Sequence, residues 1–396
     1  MEGMFSVAKS ISSLNLSSFD TSNVTNMSRM FQTTESLVEL DLSNFDTSKV
    51  TSMQSMFSYA TSLVELDLSN FDTSKVTSMG SMFYNANSLK KVILSNFDTS
   101  KVTNMSNMFY NTSKLEQIDV SKWNTSEVTN MSHMFRYVSK ITSLDVSKWD
   151  TSKVTDMSYM FDRTSNLENL DVSNWNTSNV NDMEFMFSYA VSLKELDVSK
   201  WNTSNVTDMY HMFESLKEIE ILDVSDFNTS KVTRMSSMFS GMKKVKEINV
   251  SNFNTSKVTE MSHMFAYCYE LKSLDVSNFN TSLVTNMGGM FDNSSGLTSL
   301  NLSSFDTSKV TNMSFMFENT TSLTSLDISN FDASNVTTMT YMFWGSGLKT
   351  IKTPKNIPST VNINYIISST FIGSDGNTYK TNTFPRGNTE SITLTR

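Results

Sequence analysis

The sequence predicts a repeat solenoid: one short parallel strand and one short helical or 3-10 segment in every 26-residue turn, with a small β module after the last turn. Three observations carry this. The stretch Leu37-x-x-Leu40-Asp41-Leu42-Ser43-Asn44-Phe45-Asp46-Thr47-Ser48-Lys49-Val50-Thr51-Ser52-Met53-x-x-Met56-Phe57 recurs with a period of 26 residues, and its aromatic anchor appears in 13 copies from Phe19 to Phe331 without insertion or deletion. Of 29 methionines, only Met242 lies off the beat of the Met-x-x-Met-Phe pair. All three prolines, Pro354, Pro358 and Pro385, and five of eleven glycines fall after residue 344, a shift in composition that places a boundary near residue 352. A period of this length means stacked units before it means anything else.

The elements follow in order. Residues 1–9 are half a repeat, with Met1, Met4 and Phe5 one period before Met27, Met30 and Phe31. The chain therefore enters the array part-way, and the lack of a leader says little about location. Residues 1–351 form the array. Leu40-Asp41-Leu42 alternates apolar, polar, apolar, which marks a strand with one buried face. Asn44, Asp46, Thr47 and Ser48 are turn and cap formers whose side chains satisfy free backbone groups. Val50, Met53, Met56 and Phe57 are spaced as one face of a short helix. A variable loop then leads to the next leucine. One such unit cannot bury its apolar face alone, so neighbouring units must cover it. Thirteen turns at about 4.8 Å each make a rod or arc on the order of 60 Å long. Residues 352–396 are a β-rich cap or linker. There Val361–Ile366 and Ser391–Thr395 alternate as strands, and Ser374-Asp375-Gly376-Asn377 is a hairpin turn between Phe371-Ile372 and Thr378-Tyr379.

Composition excludes several functions. The net charge of -9 and pI near 5.0, with no basic stripe, argue against nucleic acid. The single cysteine, Cys268, permits neither an intramolecular disulfide nor a cysteine-based zinc site. No apolar run is long enough to span a bilayer. No Gly-rich phosphate loop or nucleophile elbow occurs, and no repeat carries a polar cluster that sets it apart, so the chain reads as no enzyme and implies no cofactor and no metal. His133, His211 and His263 share one slot, the residue before the second Met, but lie two or three turns apart, too far to share a metal. The same slot holds Arg29, Asn107, Tyr159, Phe185, Gly289, Phe315 and Tyr341, a diversity that suggests a tuned surface.

Beside each strand leucine runs an aspartate column: Asp41, Asp67, Asp119, Asp145, Asp171, Asp197, Asp223, Asp275 and Asp327, interrupted by Asn15, Ile93, Asn249 and Asn301. Alternation places this column on the solvent face of the strands, expected to be concave. Stacked carboxylates repel and would strain the sheet unless relieved by cations, hydroxyls or a partner. The nine aspartates are the candidate partner-binding residues, set against a solvated face copied along with the repeat. The Thr-Ser pairs form hydroxyl ladders similar to ice-binding arrays, although hydrogen bonding at the corners accounts for them more simply.

The Leu-x-x-Leu-x-Leu strand segment resembles that of leucine-rich repeats. The full motif through Met-x-x-Met-Phe resembles the 26-residue repeat of BspA-like leucine-rich-repeat surface proteins of bacteria, over residues 1 to about 351. The usual consensus asparagine is replaced by the region of Phe45 or Trp. The resemblance implies a secreted or cell-surface bacterial protein that acts in adhesion. The expected function is a non-enzymatic, monomeric scaffold that binds a host or neighbouring-cell macromolecule, chiefly protein. The alternative is a structural stalk that presents another module.

Overall fold

The computed structural model describes residues 1–396 and divides into two compact units, Met1–Asp197 and Val198–Arg396. In both, the chain winds through successive turns that pair in parallel at an offset of 26 residues, as a repeat solenoid does.

In the first unit, β1 (Glu65–Asp67) pairs in parallel with β2 (Lys91–Ile93), Leu66 opposite Val92, and β3 (Ser143–Leu144) pairs with β4 (Asn169–Leu170). In each, the apolar residue is buried and its neighbours face solvent, as the alternation predicts. The strands are short because the residue that should continue the ladder is diverted. Asp67 Oδ1 accepts the Ser69 backbone N–H at 2.9 Å, closing a local turn in place of a cross-strand bond. A second line of parallel bridges runs Asn26, Ser52, Ser78, Asn104, Asn130, Asp156, Asp182.

The segment expected to be helical is not. From Met53 to Tyr59 the odd-numbered residues donate backbone N–H groups to the next repeat, to Ser78, Gly80, Met82 and Tyr84. Their even-numbered neighbours close turns instead, Met56 to Met53, Ser58 to Ser55 and Ala60 to Phe57. A helix would direct every N–H along its own axis; here half are needed by the adjoining turn. The inward spacing of Val50, Met53, Met56 and Phe57 survives, and all four are fully buried.

Inside the first unit Phe31, Phe57, Phe83, Phe109, Phe135, Phe161 and Phe187 form one stack with ring centroids 5.3–5.8 Å apart. The anchor column adds Trp123, Trp149 and Trp175 at 6.3 Å. The threonine of each corner lies inside. Thr21 Oγ1 donates to the Asp46 carbonyl at 3.0 Å and accepts the Asp46 N–H at 2.7 Å, so one hydroxyl satisfies both backbone groups of the next corner. Thr47, Thr73, Thr99 and Thr125 are likewise 1% exposed, which removes them as an ice-binding surface.

The second unit contains β5 (Ile221–Leu222) paired with β6 (Glu247–Ile248). It also holds a five-stranded sheet of β7 (Ser325–Asp327), β8 (Thr350–Lys352), β9 (Phe371–Gly373), β10 (Thr378–Tyr379) and β11 (Thr393–Thr395), in the order β10-β9-β11-β8-β7. β7 and β8 are parallel; β11 runs antiparallel to both β8 and β9. The hairpin read from Ser374–Asn377 forms between β9 and β10. The strand expected at Val361–Ile366 does not form. Asn362, Asn364 and Ile366 instead accept N–H groups from Met339, Tyr341 and Phe343, so this stretch serves as one more layer of turns although it lacks the motif. The Phe213, Phe239, Phe265, Phe291, Phe317 and Phe343 stack ends on Phe384 at 5.7 Å.

Candidate functional site

All nine aspartates of the column face solvent. In the first unit Asp145, Asp171 and Asp197 come together with Glu168 and Glu195 along an open groove of about 510 Å³, its floor interleaved with Ser143, Ser147 and Ser173. A second acidic groove of about 470 Å³ gathers Asp41, Glu39 and Glu65. Asp119 instead lines a groove that also holds Lys91, and Asp327 of the second unit is paired with Lys352 at 2.7 Å.

At Asp41, Asp67, Asp119 and Asp275 the expected strain from stacked like charges is outweighed by the neighbouring serine. The Ser43 backbone N–H and hydroxyl hold the Asp41 carboxyl below its ordinary value. The hydroxyls and then the N–H groups of Ser69, Ser121 and Ser277 do the same for Asp67, Asp119 and Asp275. Where the column carries asparagine the same turn forms, with Ser251 N–H donating to Asn249 Oδ1 at 3.2 Å and Ser303 N–H to Asn301 Oδ1 at 3.2 Å. The carboxylate is therefore one of two groups that close this turn, and the turn forms without its charge.

The variable slot has a cause that periodicity does not reveal. Arg29, Ser55, Asn107, His133, Tyr159, Phe185 and His211 all have φ between 54° and 59°, and so does a second position four residues on, Tyr59, Asn85, Asn111 and Tyr189 among them, with φ between 54° and 57°. Each is the left-handed corner of a tight turn, a conformation that costs a non-glycine residue about 1–2 kcal/mol. At Gly289 the His263 ring of the preceding turn lies over the backbone, 2.3 Å from where a Cβ would stand. Elsewhere bulky rings occupy the slot and stack on one another: His133 on Tyr159 and Tyr159 on Phe185, each at 4.6 Å. Their faces are turned to each other, so the ladder presents ring edges outward. Phe315, Tyr341 and Tyr365 repeat the pattern in the second unit at 5.3 and 5.0 Å.

The histidines stand apart chemically. Burial, followed by the nearby Arg136 charge, pushes His133 down to about 4, and burial also lowers His263. His211 Nδ1 lies 2.7 Å from Glu214 Oε2. No three His, Cys, Asp or Glu residues are placed to hold a metal ion. Cys268 is fully buried, its thiol pushed up to about 12 by desolvation. The sequence reading missed two buried carboxylates, Asp162 and Asp292. Asp162 accepts a bond from Arg136 Nε at 2.8 Å. Asp292 is pushed up to about 6 by burial, and its neighbour Glu318 to about 7 by burial and by the Asp292 charge. Both follow Met-Phe directly, which is the signal that could have found them.

No helix is long and apolar enough to cross a membrane. A comparison with curated proteins found no match. Among solved structures, the chain is similar to the TLR13 of a TLR13–ssRNA13 complex, at 15% identity and TM-score 0.27, covering 76% of this chain and 50% of that one; it thus spans about half the length of that protein. It is also similar to an internalin, InlF, of Listeria monocytogenes, at 16% identity and TM-score 0.26, covering 76% of this chain and 79% of that one. A third is the Leptospira interrogans leucine-rich-repeat protein LIC12759, at 12% identity and TM-score 0.25, covering 80% and 74%. A family of repeats matches six overlapping stretches, residues 1–117, 63–143, 88–195, 136–248, 192–273 and 270–350. Together these reach from the first residue to the last layers of turns, and the chain belongs to that family, described as "Mycoplasma protein of unknown function, DUF285".

Proposed function

We propose that the protein is a non-enzymatic binding scaffold of the cell surface, which recognises a protein partner through the acidic strand face of its first unit. The observation that carries this is the groove of Asp145, Asp171 and Asp197 with Glu168 and Glu195. Asparagine closes the same Ser turns elsewhere in the column, so the fold does not require the charge, while a basic partner segment does. Grouped carboxylates raise local negative potential and speed the encounter with cationic partners. Surface location rests on the motif's likeness to BspA-like leucine-rich-repeat proteins, from Leu40-Asp41-Leu42 to Met53-x-x-Met56-Phe57.

The test is an Asp145→Asn, Asp171→Asn, Asp197→Asn triple variant assayed against a basic peptide library and host extracellular proteins. It should keep its circular dichroism spectrum and lose at least tenfold in affinity at low salt. The wild-type interaction should weaken as ionic strength rises, because exposed charges are screened beyond about 8–10 Å near physiological salt. Equal binding by the variant would move the partner site off the strand face.

A further inference from the structure

A second site lies on the turn side of the first unit. Arg163 occupies one of the left-handed corners, with φ 60°. Its guanidinium carbon lies 5.6 Å from the Tyr137 ring and 4.5 Å from the Tyr189 ring, held between two aromatic side chains from the adjoining turns. The nearest carboxylate oxygen is on Asp162 at 3.9 Å, beyond hydrogen-bond reach, and that carboxylate is already engaged by Arg136 at 2.8 Å. The side chain is 47% exposed and opens into a groove of about 300 Å³ whose wall includes Asn111, Ser139 and Ser165. Asn111 commits its Nδ2 to Asn85 Oδ1 at 2.8 Å, which leaves its amide oxygen as an acceptor. The Ser139 hydroxyl donates to the Ser113 carbonyl at 3.2 Å and keeps its acceptor capacity.

From this arrangement we infer that the groove binds an acidic monosaccharide, a sugar ring bearing one carboxylate, free or at the end of a glycan. A guanidinium offers five donors in a planar fork matched to a carboxylate. Here the fork is oriented by two rings and makes no hydrogen bond of its own, so little rotamer entropy remains to be lost on binding. A protein of net charge -9 otherwise repels anions, which makes an exposed arginine with an uncommitted fork a selective feature. The hydroxyls and amide oxygen around it match several ligand hydroxyls, more than an isolated anion supplies. The volume is at the small end of ligand pockets, about 300–1,000 Å³, and suits one ring better than an extended acidic peptide.

The experiment titrates the full chain with glucuronic acid and N-acetylneuraminic acid, and with glucose and acetate as the two halves of that chemistry, by calorimetry and ligand-observed NMR. At least one acidic sugar should bind saturably, with glucose and acetate at least tenfold weaker. Arg163→Gln should weaken binding at least tenfold and Arg163→Lys by less. The strand-face triple variant should bind the sugar as wild type does, which separates this site from the proposed protein site. If Arg163→Gln fails to fold, Asn111→Ala and Ser165→Ala provide the same test, each expected to weaken binding severalfold. The inference is overturned if neither acidic sugar binds, if acetate binds as well as the sugars, or if the folded variants bind unchanged.

Discussion

Trp123 shows how one atom records the history of a repeat. Trp149 Nε1 donates to the Val120 carbonyl and Trp175 Nε1 to the Val146 carbonyl, each at 3.1 Å, so each indole is satisfied by the turn before it. Trp123 is the first tryptophan after four phenylalanine anchors, and its buried Nε1 has no acceptor. An unpaired buried donor costs about 1–3 kcal/mol, whereas a formed bond contributes about 0.5–1.5. Trp123→Phe and Trp149→Phe remove the same ring volume from equivalent positions, so their cavity costs nearly cancel in the comparison. Trp123→Phe should therefore be the milder change by about 1–2 kcal/mol in denaturant unfolding. Equal losses, or the reverse order, would mean that the indole of Trp123 is satisfied in solution.

At the scale of the element, the strand and the turn segment differ in how far residues alone define them. Leu66 between Glu65 and Asp67 has one reading, and the structure gives it: leucine inside, carboxylates outside. That made the acidic face legible. Val50, Met53, Met56 and Phe57 have two readings, because a helix and a chain of tight turns both bring every third or fourth residue inward. The deciding signal lies at positions the apolar pattern ignores. Asn85, Asn111, Gly241, Asn293, Asn319 and Gly345 share one position of the 26-residue repeat, and asparagine and glycine are the residues that tolerate a left-handed corner. Tyrosine, arginine, serine and threonine at the equivalent corners hid the signal, and Arg163 with its groove went unread for that reason. The corner makes a direct prediction at Ser81, with φ 58°. Ser81→Gly should stabilise by up to about 1 kcal/mol, less the added freedom of the unfolded chain, and Ser81→Val should destabilise by more than about 1. Thermal unfolding that ranks valine above glycine would rule out the left-handed corner.

At the scale of the whole molecule, two sets of buried groups should make stability respond to pH with opposite signs. Asp292 and Glu318 of the second unit are held up to about 6 and about 7, chiefly by burial, from ordinary values of 3.8 and 4.5. Between those limits the folded state holds protons that the unfolded state has released. Stability follows the difference in bound protons, so the contribution of this pair is fully present below about pH 4 and is lost as pH rises through 6 to 7. His133 of the first unit is held down to about 4 from 6.5, by burial and then by Arg136. There the unfolded state binds the proton that the folded state refuses, so its contribution is present above pH 6.5 and is lost as pH falls toward 4. The two effects overlap in wild type and partly cancel in a single melting curve, which is why the variants are needed. Asp292→Asn with Glu318→Gln removes the ionisation and keeps hydrogen-bonding capacity. Its melting temperature relative to wild type should rise between pH 5 and pH 8, by several degrees if the pair is worth a few kcal/mol, since about 1 kcal/mol moves a unit of this size by roughly 2–4 °C. His133→Phe keeps a ring to stack on Tyr159, 4.6 Å from the present imidazole, and should show its advantage over wild type growing from pH 7 down to pH 4. A difference that is flat with pH for either variant would mean that the corresponding group reaches solvent in the folded state, and parallel slopes for the two would contradict the assigned signs.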